Sequence, residues 1–160
     1  MVGAVKIVIV FLLLADHAVK CFKLGQLCSS NCGNTIRGCD SQGCGYYGAP
    51  RGSRTHKGVD IICSPGSLVI APFSAKILRK SFPYSNNNEA YNNGLYIEGT
   101  GEAEGFRAKI FYFTPSKYSE AVKKGSMLGK SQALPYSGIT QHLHLQLYKN
   151  GVIVNPQDYL

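Results

Sequence analysis

All six cysteines of the 160-residue chain, Cys21, Cys28, Cys32, Cys39, Cys44 and Cys63, lie before residue 64. An even set crowded into one part of a chain is a disulfide framework if the protein is exported and a metal knuckle if it is not. The spacings admit both, since Cys28 and Cys32 form a C-x3-C and Cys39 and Cys44 a C-x4-C. The start of the chain decides between them. "MVGAVKIVIVFLLLADHAVKC" carries Lys6, an apolar run from Ile7 to Ala15 and small residues near Ala18. That is the pattern of a secretory signal, too short in its apolar part to span a bilayer as a stable helix. Residues 1–20 are therefore expected to be the signal, cut between about 15 and 20. The mature protein is expected to be secreted, soluble and extracellular, with its cysteines in disulfides whose pairing the spacing alone does not choose.

The remainder divides into a cysteine-rich segment, 21–44, and a β domain, 45–160. In the latter, short β-branched and aromatic runs alternate with turn signals such as "SPG", "SNNNEAYNNG", "EAVKKG" and "KNG", and helical periodicity is scarce. The fold class is all-β with minor α. Strands are expected at Gly58–Ile62, Ser67–Ala71, Ser74–Arg79, Leu95–Glu98, Phe106–Phe113, Met127–Lys130, His142–Tyr148 and Val152–Val154. No second long apolar run follows the first, so no membrane span is expected. The net charge is +8, with basic residues clustered in "RGSRTHK" and at Lys117, Lys123 and Lys124. Such clusters suit encounter with anionic surface polymers. No aromatic-interleaved basic motif points to nucleic acid.

Two histidine motifs carry the chemistry. In "RTHKGVDIIC", His56 and Asp60 stand four apart, a spacing that shares a face on a helix. Gly58 and the β-branched Val59, Ile61 and Ile62 make the stretch a strand instead. Four residues of straight strand span about 13 Å, beyond the reach of one metal ion. The two side chains meet only if the backbone bends, and Gly58 is the residue that permits it. Further on, "TQHLHLQLYKNG" places His142, His144 and Gln146 on one face of a strand and Leu143, Leu145 and Leu147 on the other. Two imidazoles and a carboxylate are a zinc ligand set that leaves a fourth position open. His56, Asp60 and one histidine of the pair fit it, the other standing nearby as base, supporting group or alternate ligand.

With "THKGVD", "KKGSMLGKS", "QHLHLQ" and a closing "NPQDYL" in this order, residues 45–160 resemble the M23, or LytM-type, zinc peptidase domain. The stretch from "CGNTIRGCDSQGCGYYG" to "APFSAKI" is similar to a chemotaxin-like lineage of secreted animal proteins within that family. The resemblance implies a small antiparallel sheet core of the duplicated-hybrid-motif type. It also implies one Zn2+ per chain on His56, Asp60 and His144, with His142 in the place of the catalytic base. Active members keep a further histidine on the strand matching "KIFYFTP", where this chain has Tyr112 and Phe113. The lineage further implies disulfides pairing Cys28 with Cys63 and Cys39 with Cys44, leaving Cys21 to Cys32. The ending "LYKNGVIVNPQDYL" keeps the fuller strand, turn and strand of the bacterial enzymes.

These features together imply a secreted, zinc-binding, catalytically inactive protein acting as a chemotactic or innate-immune signal through a cell-surface receptor or bacterial-surface polymer. The alternative is an active zinc endopeptidase cleaving glycine-containing or peptidoglycan cross-link peptides with His142 as base. A third reading is a non-enzymatic module that recognises bacterial surfaces. No oligomeric state follows from the sequence.

Overall fold

The computed structural model describes residues 22–85 and 88–160. Cys21 and the expected signal lie outside the described residues. Among the described residues, regular structure is antiparallel strand, apart from short 3-10 turns at Gly101–Ala103 and Pro156–Tyr159. Two small hairpins come first: β1 (Cys39–Asp40) with β2 (Gly43–Cys44), and β3 (Pro50–Arg51) with β4 (Arg54–Thr55). There follow β5 (Val59–Ile62), β6 (Leu68–Ile70), β7 (Ala75–Lys80), β8 (Gly94–Gly99), β9 (Phe106–Phe111), β10 (Phe113–Pro115), β11 (Ala121–Val122), β12 (Met127–Ser131), β13 (His142–Lys149) and β14 (Val152–Val154).

The main sheet runs β11-β7-β8-β9-β13-β14, with β5 also paired to β13, and a second sheet runs β10-β12-β6. Strand β13 organises the former. One of its edges takes β9 along residues 144–149, and the other is divided between β5 at 142–145 and β14 at 147–149. Its alternation dictates this place: Leu143, Leu145 and Leu147 are fully buried in the core, while His142, His144 and Gln146 line the cleft on the opposite face. Leu95, Ile97, Ala108 and Ile110 from β8 and β9 join the same core. From elsewhere come Val69, Phe73, Phe113 and Leu128.

The cysteine-rich segment is part of this core. Leu24 and Leu27 are buried in it, and backbone hydrogen bonds run from Leu24 N to Tyr159 O, Gly25 N to Pro72 O and Ile70 N to Leu27 O. Disulfides join Cys28 to Cys63 and Cys39 to Cys44. The third pairing, Cys21 with Cys32, has one partner outside the described residues, and Cys32 is exposed and unbonded in the structure.

Strands β1–β4, of two residues each, lie outside the expected set, and two later segments also differ from expectation. The run Phe106–Phe113 breaks at Tyr112, whose φ is 74°, so the chain leaves the main sheet at Phe111 and enters the second sheet at Phe113. A left-handed backbone at a bulky residue is uncommon and disfavoured. Strand β11 lies in "EAVKKG", which reads as a turn because a two-residue strand is too short to show a period. Among the described residues, no helix is long and apolar enough to cross a membrane.

Candidate metal centre

Strand register brings Asp60 and His144 together. Asp60 on β5 is the direct cross-strand partner of His144 on β13, and such partners have adjacent side chains on one face. His56 arrives from the link between β4 and β5, where the chain bends at Gly58. The result is a tight cluster. His144 Nδ1 lies 2.9 Å from Asp60 Oδ1 and His56 Nε2 lies 3.2 Å from the same oxygen. The two ring nitrogens are 3.0 Å apart. His56 and Asp60 are buried.

Gly58 has a second duty besides the bend. A Cβ there would stand 2.3 Å from the Leu145 carbonyl oxygen and 2.8 Å from His144 Nε2. Its hydrogen is what lets the β4–β5 link lie against β13. Substitution Gly58→Ala is therefore expected to destabilise the fold by about 1–3 kcal/mol, the usual range for overpacking. It should also weaken metal binding by displacing His144. Thermal melting with and without metal checks both, and an unshifted midpoint would remove this role.

The donor chemistry fits a divalent metal. His56 Nδ1 lies 2.9 Å from the Tyr46 carbonyl oxygen, which only accepts, so Nδ1 donates and a neutral ring keeps its lone pair on Nε2. That lone pair faces Asp60 Oδ1, itself an acceptor, and such a contact calls for a cation between them. Two donors at zinc bond lengths and a tetrahedral angle lie about 3.3–3.4 Å apart, a few tenths wider than the distances here. His56, Asp60 and His144 thus form a candidate metal site, each offering one atom within 4.8 Å of the others. A backbone carbonyl holding the distal nitrogen of a ligand histidine is the usual support for such a ring.

Positive charge suits the site on other grounds. Burial pushes the Asp60 carboxyl up, yet the surrounding imidazoles of His144, His56 and His142 outweigh it and hold it far below the usual carboxylate range. Burial pushes His142 and His144 below the usual imidazole range, opposed by Asp60, so both rings favour the neutral, metal-binding form.

Sequence reasoning missed how Asp60 is held. Arg37, buried at 3% exposure, places Nε and one terminal nitrogen each 3.0 Å from Asp60 Oδ2. It also reaches Asp40 at 2.9 Å and the Gly43 carbonyl at 2.7 Å. Arg51 stands 3.4 Å from the same Oδ2. One carboxylate oxygen is thus occupied by guanidinium, and the other faces the imidazoles. No motif marks Arg37, and the Tyr46 contribution is a backbone carbonyl, which leaves no residue-type signal at all.

His142 stands beside this cluster. Its Nδ1 donates to the Thr140 carbonyl at 2.6 Å, and Nε2 lies 3.6 Å from Asp60 Oδ1. Across from it is Tyr112, whose ring is 5.4 Å from the His142 ring and 6.4 Å from that of His144. The Tyr112 hydroxyl is 3.3 Å from that of Tyr84. Burial, and then Tyr84, push the Tyr112 phenol well above its ordinary value, so it stays protonated. The structure therefore places Tyr112 by the two histidines, and the metal cluster contains two histidines and one aspartate.

Comparison with known proteins agrees with this geometry. Residues 54–156 match the profile of Peptidase family M23. The chain is 47% identical over 123 residues to leukocyte cell-derived chemotaxin-2 of Mus musculus, covering 76% of this chain and 78% of that protein. Helicobacter pylori Csd3 superposes with a TM-score of 0.56 at 22% identity, covering 87% of this chain. This chain spans 33% of that longer protein, and the likeness concerns fold alone. The catalytic domain of the antimicrobial peptidase lysostaphin from Staphylococcus simulans gives a TM-score of 0.54 at 25% identity, covering 71% of this chain and 86% of that domain.

Proposed function

Because the chain belongs to peptidase family M23, in the branch of leukocyte cell-derived chemotaxin-2, we propose that it is a secreted, zinc-stabilised and catalytically silent member acting as a chemotactic or innate-immune signal. Residues 1–20 serve as its cleaved signal, 21–44 as a disulfide-braced lead segment and 45–160 as the β domain, and its partner is a cell-surface receptor or a bacterial-surface polymer. The observation that carries the silent reading is Tyr112, which stands beside His142 and His144 where active members keep a histidine.

Zinc, when bound by His56, Asp60 and His144, supplies a Lewis acid and a water of lowered pKa. The chain's own residues contribute less than hydrolysis needs. His142 offers one Nε2 lone pair able to take a proton, held in place by its bond to Thr140. Tyr112 can donate a hydrogen bond, but it does not cycle a proton near neutral pH as an imidazole does. It is also a weaker stabiliser of developing oxyanion charge than a cationic ring. What remains of the site ties β5 to β13, because metal binding free energy adds to folding free energy.

The test uses one sample. The purified protein is expected to hold one zinc per chain and to release no fragments from purified peptidoglycan. Complete chelation should lower stability by about 3 kcal/mol when free zinc had stood about a hundredfold above its Kd. An unchanged melting temperature after zinc removal would count against the stabilising role. Fragment release that disappears in His142→Ala would establish the peptidase instead.

A further inference from the structure

The cleft above the metal centre, about 450 Å3 in volume, is one-sided in charge. Arg51, Arg54, Lys57 and Lys109 line it together with Arg37, and Asp60 is the sole carboxylate among the described lining residues. Asp60 has little charge to spare, since guanidinium groups hold its Oδ2 and imidazoles face its Oδ1. Arg54 and Lys57 are exposed and Lys109 is half-buried. None of these three has an ion-pair partner among the described residues. The Lys109 ammonium rests near the Tyr96 and Tyr148 rings, at 5.7 and 5.6 Å.

Cations gathered in a concavity repel one another and focus a positive potential into it. A neutral glycine-rich peptide would leave that potential unmatched. An anion relieves it, and the planar fork of Arg54 matches a carboxylate in particular, whereas Arg51 is held by the Cys44 carbonyl and Asp60. The lining also bears Phe82, Tyr84 and Tyr136, which are 53%, 37% and 37% exposed. Partly exposed rings beside a charged concavity offer apolar contact and phenol donors to a chain with its own side chains.

We propose that this cleft binds the carboxylates of an acidic peptide segment on the partner protein. This rests on the signalling role proposed above for the protein, and it names the chemistry the partner must present. The carboxylates come from glutamate and aspartate side chains or from a chain terminus. Both sources offer the same group to Arg54 and Lys57, with the metal centre at the floor of the cleft.

Fluorescence anisotropy on the zinc-loaded protein tests it. The probe is a fluorescein-labelled hexapeptide of alternating glutamate and glycine with an amidated C-terminus. Its counterpart with glutamine for glutamate should bind about tenfold more weakly, the equivalent of roughly 1.4 kcal/mol. The glutamine peptide with a free C-terminus separates the two sources, since affinity regained there assigns the site to a chain terminus. The double variant R54Q/K57Q should lose about tenfold for the glutamate peptide, with an unshifted melting temperature because both side chains are exposed. Equal binding of the amidated glutamate and glutamine peptides with no gain from the free terminus, or unchanged binding in the double variant, would overturn the proposal. So would heparin binding where the acidic peptides do not, which would make the ligand a sulfated polysaccharide. Zinc stoichiometry measured on the same sample keeps the two ideas apart: no zinc sinks the metal reading, whereas bound zinc without carboxylate preference sinks only this one.

Discussion

Replacing Arg37 with alanine should destabilise the fold by about 3–5 kcal/mol, the usual consequence of leaving a buried carboxylate without its partner. Zinc affinity should fall about 10–100-fold, as it does when a group supporting a metal ligand is removed. Both follow from one contact. Two nitrogens of Arg37, each 3.0 Å from Asp60 Oδ2, fix the rotation of the carboxylate and leave Oδ1 toward His56 and His144. Arg51 at 3.4 Å is more exposed and monodentate, so it compensates poorly. Arg37→Lys keeps the charge without the fork and should fall between the two. Denaturant melts in chelator give the stability effect, and competition against a zinc-binding dye gives the affinity. An alanine variant that matched the parent in both would show Asp60 to be held by its strand alone.

The second large effect is expected from the disulfide between Cys28 and Cys63. It closes 35 residues, and loop-closure entropy puts its loss at about 4 kcal/mol, against about 2 for the five-residue loop of Cys39 and Cys44. Cys63 directly follows β5, and Cys28 bridges to Val69 on β6, so the longer link fastens the strand of Asp60 to the second sheet. A Cys28→Ser/Cys63→Ser variant should melt roughly 10 °C lower or more. The shorter link should show a different signature. It braces the hairpin behind Arg37, so its removal should reduce zinc affinity more than stability. If the two variants lost equal stability, the entropy argument would fail for this chain.

These cases show which parts of the fold are legible in sequence. Alternation in "HLHLQL" places the leucines inside and the histidines outward, because a strand has a period of two and the core selects one face. "THKGVD" yields a metal hypothesis since imidazole and carboxylate are residue-type signals. Arg37 gives none: its partner is 23 residues away, and a buried arginine looks like any other until the chain is folded. Gly58 reads as a hinge, but the space it leaves is defined by Leu145, on a strand whose position the local sequence does not specify. Tyr112 reads as mid-strand, and its left-handed backbone arises from the switch between two sheets.

The division of one edge of β13 between β5 and β14 has a bearing on how the chain matures. Asp60 and His144 are 84 residues apart, and contacts of such separation form late because loop closure must come first. Only a chain in which β5 has docked on its share of the β13 edge can present the complete candidate ligand set. Metal occupancy therefore certifies that the most distant strand pairing has been made, and a population sorted by bound metal would be sorted by completeness of folding.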